Sequence, residues 1–159
     1  MFGLFSSPSI SDPVFGELKR SGGMWRGIIS SLGQPGVPLI ISGPKSAPDQ
    51  AAIEIAKSIS GQYTAWQTVI EKALLEHLAP YAEAIASEGL PAPEEPWPNI
   101  KMPSDVWSHV SIEYVAVTPL EGKLTLELGY CATWDEEHTL GARFQNGQFL
   151  ELCGSVLCP

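Results

Sequence analysis

From Ile53 to Ile85, apolar residues recur at steps of three and four: Ala56, Ile59, Tyr63, Trp66, Ile70, Leu74, His77/Leu78 and Tyr81 lie between them, with Gln, Glu, Lys and Thr on the other side. That spacing predicts an amphipathic helix with one face turned to a core. Ser46-Ala47-Pro48-Asp49 supplies a start signal, with Ser46 as N-cap, an early proline and an acid at the capping-box position. The helical region is therefore placed at 46–88. Gly61 and Pro80 interrupt it, so the pattern admits one long helix, weakened or kinked, or two consecutive ones.

On either side the period falls to two. Gly and Pro clusters at 21–23, 33–38 and 43–44 separate Val14 to Lys19, Met24 to Ser31 and Pro38 to Ser42, which read as an N-terminal strand group within 10–44. The C-terminal strand group spans 106–157. There Val110, Ile112 and Tyr114 are assigned to one face, with Val115 and Val117 on the other. Leu124, Leu126, Leu128 and Tyr130 alternate with Thr125, Glu127 and Gly129, the mark of a half-buried strand. Asn146-Gly147 predicts a tight hairpin pairing Phe144 with Phe149 and Ala142 with Glu151, and placing Cys153 with Leu140. Between helix and second strand group, 90–105 holds five prolines and reads as an extended connector. The expected fold is α+β: one antiparallel sheet built from both strand groups, packed by one long or two consecutive central helices, in a single domain over 1–159.

Charge narrows the function classes. Eighteen acids oppose nine bases, a net charge of −9. Nucleic-acid binding needs a cationic face, which so few bases cannot supply, so no nucleic-acid partner is expected. A protein partner with a basic surface suits this charge better. Apolar runs such as Val37 to Ile41 are far too short to span a bilayer, and Met1 to Phe5 lacks the basic flank and length of a signal peptide. Three cysteines, an odd number, do not form a secreted disulfide framework. A cytoplasmic location with reduced thiols and no membrane partner follows as the expectation.

The densest ionisable segment is Trp134-Asp135-Glu136-Glu137-His138. Three carboxylates and an imidazole can hold a divalent cation or move a proton, with Asp135, Glu137 and His138 the candidate metal ligands. Successive residues of a strand point to opposite faces, however, and no second histidine lies a helical turn away. The alternative is an acidic turn tied by its own hydrogen bonds, with Trp134 in the core. Cys131, His138, Cys153 and Cys158 could in principle complete a tetrahedral zinc site, but only Cys153 and Cys158 approach paired-ligand spacing, and free cysteines pack readily as small apolar groups. No complete nucleophile or phosphate-loop motif is present, so no catalytic residue is assigned and no cofactor expected. His77, within the helical stripe, reads as a half-buried core or rim residue. In the connector, Glu94, Glu95 and Trp97 form a candidate partner surface, because tryptophan anchors interfaces as readily as it staples loops.

The ordered run Asp12-Pro13-Val14-Phe15-Gly16-Glu17-Leu18, then Trp25-Arg26-Gly27, then the W-D-E-E-H-x-x-G stretch from Trp134 to Gly141 resembles an uncharacterised family of small bacterial proteins. The resemblance covers nearly the whole chain and implies a bacterial, cytoplasmic, single-domain α+β protein with no catalytic roles to transfer. By analogy alone, some small acidic families of this appearance are similar to immunity proteins of toxin systems. Three expectations stand together: a non-enzymatic acidic protein-binding module, a metal-binding or hydrolytic domain centred on Asp135–His138, and a structural subunit of a homo-oligomer.

Overall fold

Tight turns lay the first strands side by side. In the computed structural model, which describes residues 7–89 and 97–159, β1 (Ser9–Asp12), β2 (Gly16–Ser21), β3 (Met24–Ile29) and β4 (Val37–Ile41) form an antiparallel meander. A long helix, α1 (Gln50–Glu88), and a short 3₁₀ helix (Pro103–His109) then lead to β5 (Val110–Leu120), β6 (Lys123–Ala132), β7 (Asp135–Gln145) and β8 (Gln148–Val156), a second antiparallel meander. The two meet where β4 runs parallel to β5, Leu39 pairing with Val115, which completes one eight-stranded sheet in sequence order. A parallel neighbour requires a crossover, and α1 supplies it. The α+β architecture expected from the sequence is the one found, with a single parallel junction inside the sheet.

α1 is continuous over 39 residues, about 58 Å at 1.5 Å per residue. Neither Gly61 nor Pro80 breaks it. Its cap is Asp49, whose carboxylate accepts from the Ala51 N–H at 2.9 Å, so the helix starts after Asp49 and not after Ser46. Ser46 and Ala47 belong to a loop, in which Arg20 donates to the Gly43 and Pro44 carbonyls and the Trp25 indole donates to Pro44 at 2.9 Å. The buried stripe runs from Ala52 and Ile53 through Ala56, Ile59, Trp66, Ile70 and Leu74 to Leu78, as the periodicity requires. It packs on the sheet face formed by Leu39, Ile41, Val115, Val117, Leu126, Leu128 and Phe144, and Trp66 stacks on Phe144 with centroids 4.3 Å apart.

Register irregularities account for most departures from the sequence reading. The β5–β6 ladder passes from Ile112–Tyr130 to Tyr114–Gly129, leaving Glu113 as an extra residue. Such a bulge exchanges the two faces. Ile112 therefore shares the helix-facing side with Val115 and Val117, and Tyr114 turns to the opposite side with Ala116. In the β7–β8 hairpin Phe144 does pair with Phe149, but a shift beside Arg143 pairs Arg143 with Glu151, Ala142 with Leu152 and Gly141 with Cys153. The turn itself has Asn146 at φ 51° and Gly147 at φ 74°, left-handed values that asparagine and glycine tolerate. β1 lies outside the strand segments read from the pattern, because Ile10 is its only apolar residue.

The far side of the sheet is also covered. Thr125, Glu127 and Gly129, expected on a solvated face, are buried. Ile40, Tyr114, Ala116 and Val156 form a small second core there. Tyr114 donates to Glu127 Oε1 at 2.6 Å, Arg143 Nε donates to Oε2 at 2.6 Å, and Arg143 Nη1 reaches Glu151 at 2.9 Å. A buried carboxylate is tolerable here because both of its oxygens accept strong donors. Arg26 on β3 donates to a main-chain oxygen of Pro159 at 2.7 Å, drawing the residues after β8 across this face.

Candidate functional site

The segment from Trp134 to His138 lies where β6 turns into β7, beneath the C-terminal half of α1. Trp134 is buried, 6% exposed, and Asp135 is buried at the first position of β7. The next three residues leave the ladder. Ala132 pairs with Asp135 and Cys131 pairs with Thr139, so Glu136, Glu137 and His138 have no partner on β6. All three are exposed.

Asp135 anchors this excursion. His138 Nδ1 donates to its Oδ1 at 2.7 Å, and the Tyr81 hydroxyl donates to Oδ2 at 2.8 Å. Burial alone would raise the Asp135 carboxyl; the hydrogen bonds from His138 and Tyr81, with the two imidazoles nearby, outweigh it and hold the group below its ordinary 3.8. Tyr81 moves the opposite way: its hydrogen bond to the carboxylate, then burial, raise the phenol above its ordinary 10.0.

His77 completes the cluster from the helix. Its Nδ1 accepts the Trp134 indole N–H at 3.1 Å, while Nε2 stands 3.8 Å from Asp135 Oδ2. The imidazole lies 5.5 Å from the Tyr81 ring and 6.4 Å from the Trp134 ring, centroid to centroid. On β8, Gly154 lies against it: a Cβ there would make an ordinary contact with Nε2 at 3.5 Å. Because an indole N–H only donates, the accepting Nδ1 carries no proton and the neutral ring holds its proton on Nε2. Burial lowers the His77 pKa below 6.5; Asp135 pulls it up and His138 pushes it down.

Of the residues singled out in the sequence, the fold hydrogen-bonds His138 to Asp135 and Trp134 to His77, sets the His77 imidazole 3.8 Å from Asp135, and leaves Glu136 and Glu137 exposed beside them. Asp135, Glu137 and His138 do not gather around a common point, and among the described residues no three His, Cys, Asp or Glu side chains are placed to hold a metal ion. The cysteines are likewise not drawn together with His138: Cys131 and Cys153 are half-buried thiols and Cys158 is exposed. Glu94 and Glu95 lie outside the described residues. Trp97 is half-buried and packs against the main core. The contributions not assigned from the sequence are those of His77 and Tyr81, whose only signal was two polar groups, one helical turn apart, on an apolar stripe.

No curated protein and no solved structure matches the chain. A family model, Domain of unknown function (DUF6985), matches residues 14–156 and so takes in β2 to β8, the helix and the whole Asp135 cluster. The chain belongs to that family.

Proposed function

We propose that the chain is a non-enzymatic, acidic protein-binding module of a bacterial cytoplasm, whose partner presents a basic surface. The observation that carries this reading is the excursion of Glu136, Glu137 and His138. It presents two exposed carboxylates outside the ladder on a base fixed by Asp135. A rigid, pre-positioned charged segment loses little entropy on docking. The net charge of −9 adds long-range attraction for a cationic partner. Capture from a bacterial lysate, quantified by mass spectrometry, tests it with wild type and an E136K/E137K double variant. A stoichiometric basic partner held by the wild type and lost by the variant supports the reading. Equal capture by both, or no stoichiometric partner, refutes it.

A second reading rests on one distance. Asp135 holds His138 through Nδ1 at 2.7 Å, which leaves Nε2 outward, as in a general base of a hydrolytic domain backed by a carboxylate. It requires that the wild type turn over an activated ester such as p-nitrophenyl acetate and that His138→Ala lose this activity. Equal rates in the two proteins remove this reading.

A further inference from the structure

We propose that His77 is a pH-sensitive latch that fixes the base of the acidic excursion near neutrality and releases it in mild acid. The inference deepens the binding reading above by giving its surface a means of regulation, and it is tested in the free protein so that the two can fail separately.

The latch follows from donor and acceptor counting. Trp134 Nε1 has one hydrogen and no lone pair in the ring plane, so its bond to His77 exists only while Nδ1 is unprotonated. A proton added to His77 must go to that same nitrogen, because Nε2 already holds one. Two N–H groups then face each other at 3.1 Å, and the buried indole loses its acceptor. The new imidazolium is drawn by Asp135, 3.8 Å from Nε2. Asp135 is the residue on which the excursion stands, and both of its oxygens are already engaged by Tyr81 and His138. A single protonation thus removes the Trp134 tether and sets His77 in competition with His138 for the same carboxylate.

The surroundings set the direction. From α1, Tyr81 faces the imidazole; from the start of β7 come Asp135 and His138, the first favouring the charged ring and the second opposing it. Glu137 acts on Tyr81, and β8 contributes Gly154, without a side chain. With burial the largest influence, the neutral ring persists below the usual histidine range before it yields.

Nuclear magnetic resonance reads the His77 protonation and the Trp134 tether directly. At pH 7.5 the ring nitrogens of His77 are expected to show the Nε2–H tautomer. The Trp134 indole N–H resonance is expected to move with the His77 titration, at a midpoint below 6.5. Trp134→Phe removes the donor that resists protonation, so the His77 midpoint rises by about one unit, a tenfold easier protonation. His77→Asn keeps an acceptor near the Nδ1 position without a titrating group, so the Trp134 indole signal stays fixed from pH 7.5 to 5. An Nδ1–H tautomer at pH 7.5, or a Trp134 signal that titrates unchanged in His77→Asn, overturns the latch. Neither result depends on whether a partner exists.

Discussion

The ring of Tyr114 occupies the space that a side chain at Gly129 would need. A Cβ built on Gly129 falls 2.7 Å from both Cδ1 and Cζ of that ring, one strand away in the β5–β6 ladder. Glycine at this position is what lets the tyrosine lie against the sheet and bring its hydroxyl to Glu127. Gly129→Ala is therefore expected to destabilise the fold by about 1–3 kcal/mol through overpacking, read as a drop in melting temperature. A variant as stable as the wild type would show that the ring moves aside without cost.

Tyr114→Phe keeps the ring and removes only the hydroxyl. Glu127 is then left buried with Arg143 as its remaining strong donor. A loss of about 1–3 kcal/mol is expected by denaturant titration, because the carboxylate keeps its desolvation cost and loses a charge-assisted bond. The two substitutions act on one network, so the double variant should lose less than the sum of the singles. Strict additivity would argue against a shared network.

Asp12 joins the first hairpin to the helix. Its Oδ1 accepts from the Val14 and Phe15 N–H groups at 2.8 and 3.1 Å, and Lys57 of α1 lies 3.3 Å from Oδ2. Asp12→Ala is expected to cost about 1–3 kcal/mol. Asp12→Asn, which retains an acceptor for the two amides, should cost less. Equal losses in chemical denaturation would assign the stabilisation to the Lys57 pair instead.

Stability should fall with acid in two windows. His77 titrates below its ordinary 6.5 in the folded state, so the unfolded chain takes up this proton first, and stability declines as pH drops from 6.5 towards the lower folded value. Asp135 and Asp12 are held below 3.8, so their contribution is complete above 3.8 and is lost as pH falls from there through their folded values. Melting temperatures across pH should show both steps in the wild type and lose the upper one in His77→Asn. An unchanged upper step in that variant would assign it to another group.

The helix was the most legible part of the fold because its period survives in one dimension: every residue of the stripe from Ile53 to Leu78 lands on the core side. Its start was not, since Ser46 and Asp49 are both good caps and the choice between them falls to the Arg20 and Trp25 bonds to the preceding loop. On β5 the strand faces were legible only up to the bulge at Glu113, which no alternation encodes. Glu127 looked like a surface acid because its partners, Tyr114 and Arg143, lie on other strands. The site divides in the same way. Trp134 to His138 are contiguous and were visible as a group, whereas His77 and Tyr81 reach Asp135 from the helix, more than fifty residues away.

The parallel junction of β4 and β5 has a consequence for how the chain folds. Each meander is made of neighbours in sequence and can form by local hairpin closure, but Leu39 meets Val115 only after α1 has been laid across the sheet. Closing that loop costs entropy before any contact offsets it, so helix docking and seam formation become the slow, non-local step. Val115→Ala should then slow folding, whereas Phe149→Ala, in the terminal hairpin, should mainly speed unfolding; the reverse pattern in a chevron analysis would place the nucleus in the C-terminal meander. Until the seam closes, the edges of β4 and β5 are open templates, and in that interval a newly made chain is most exposed to pairing with the wrong strand.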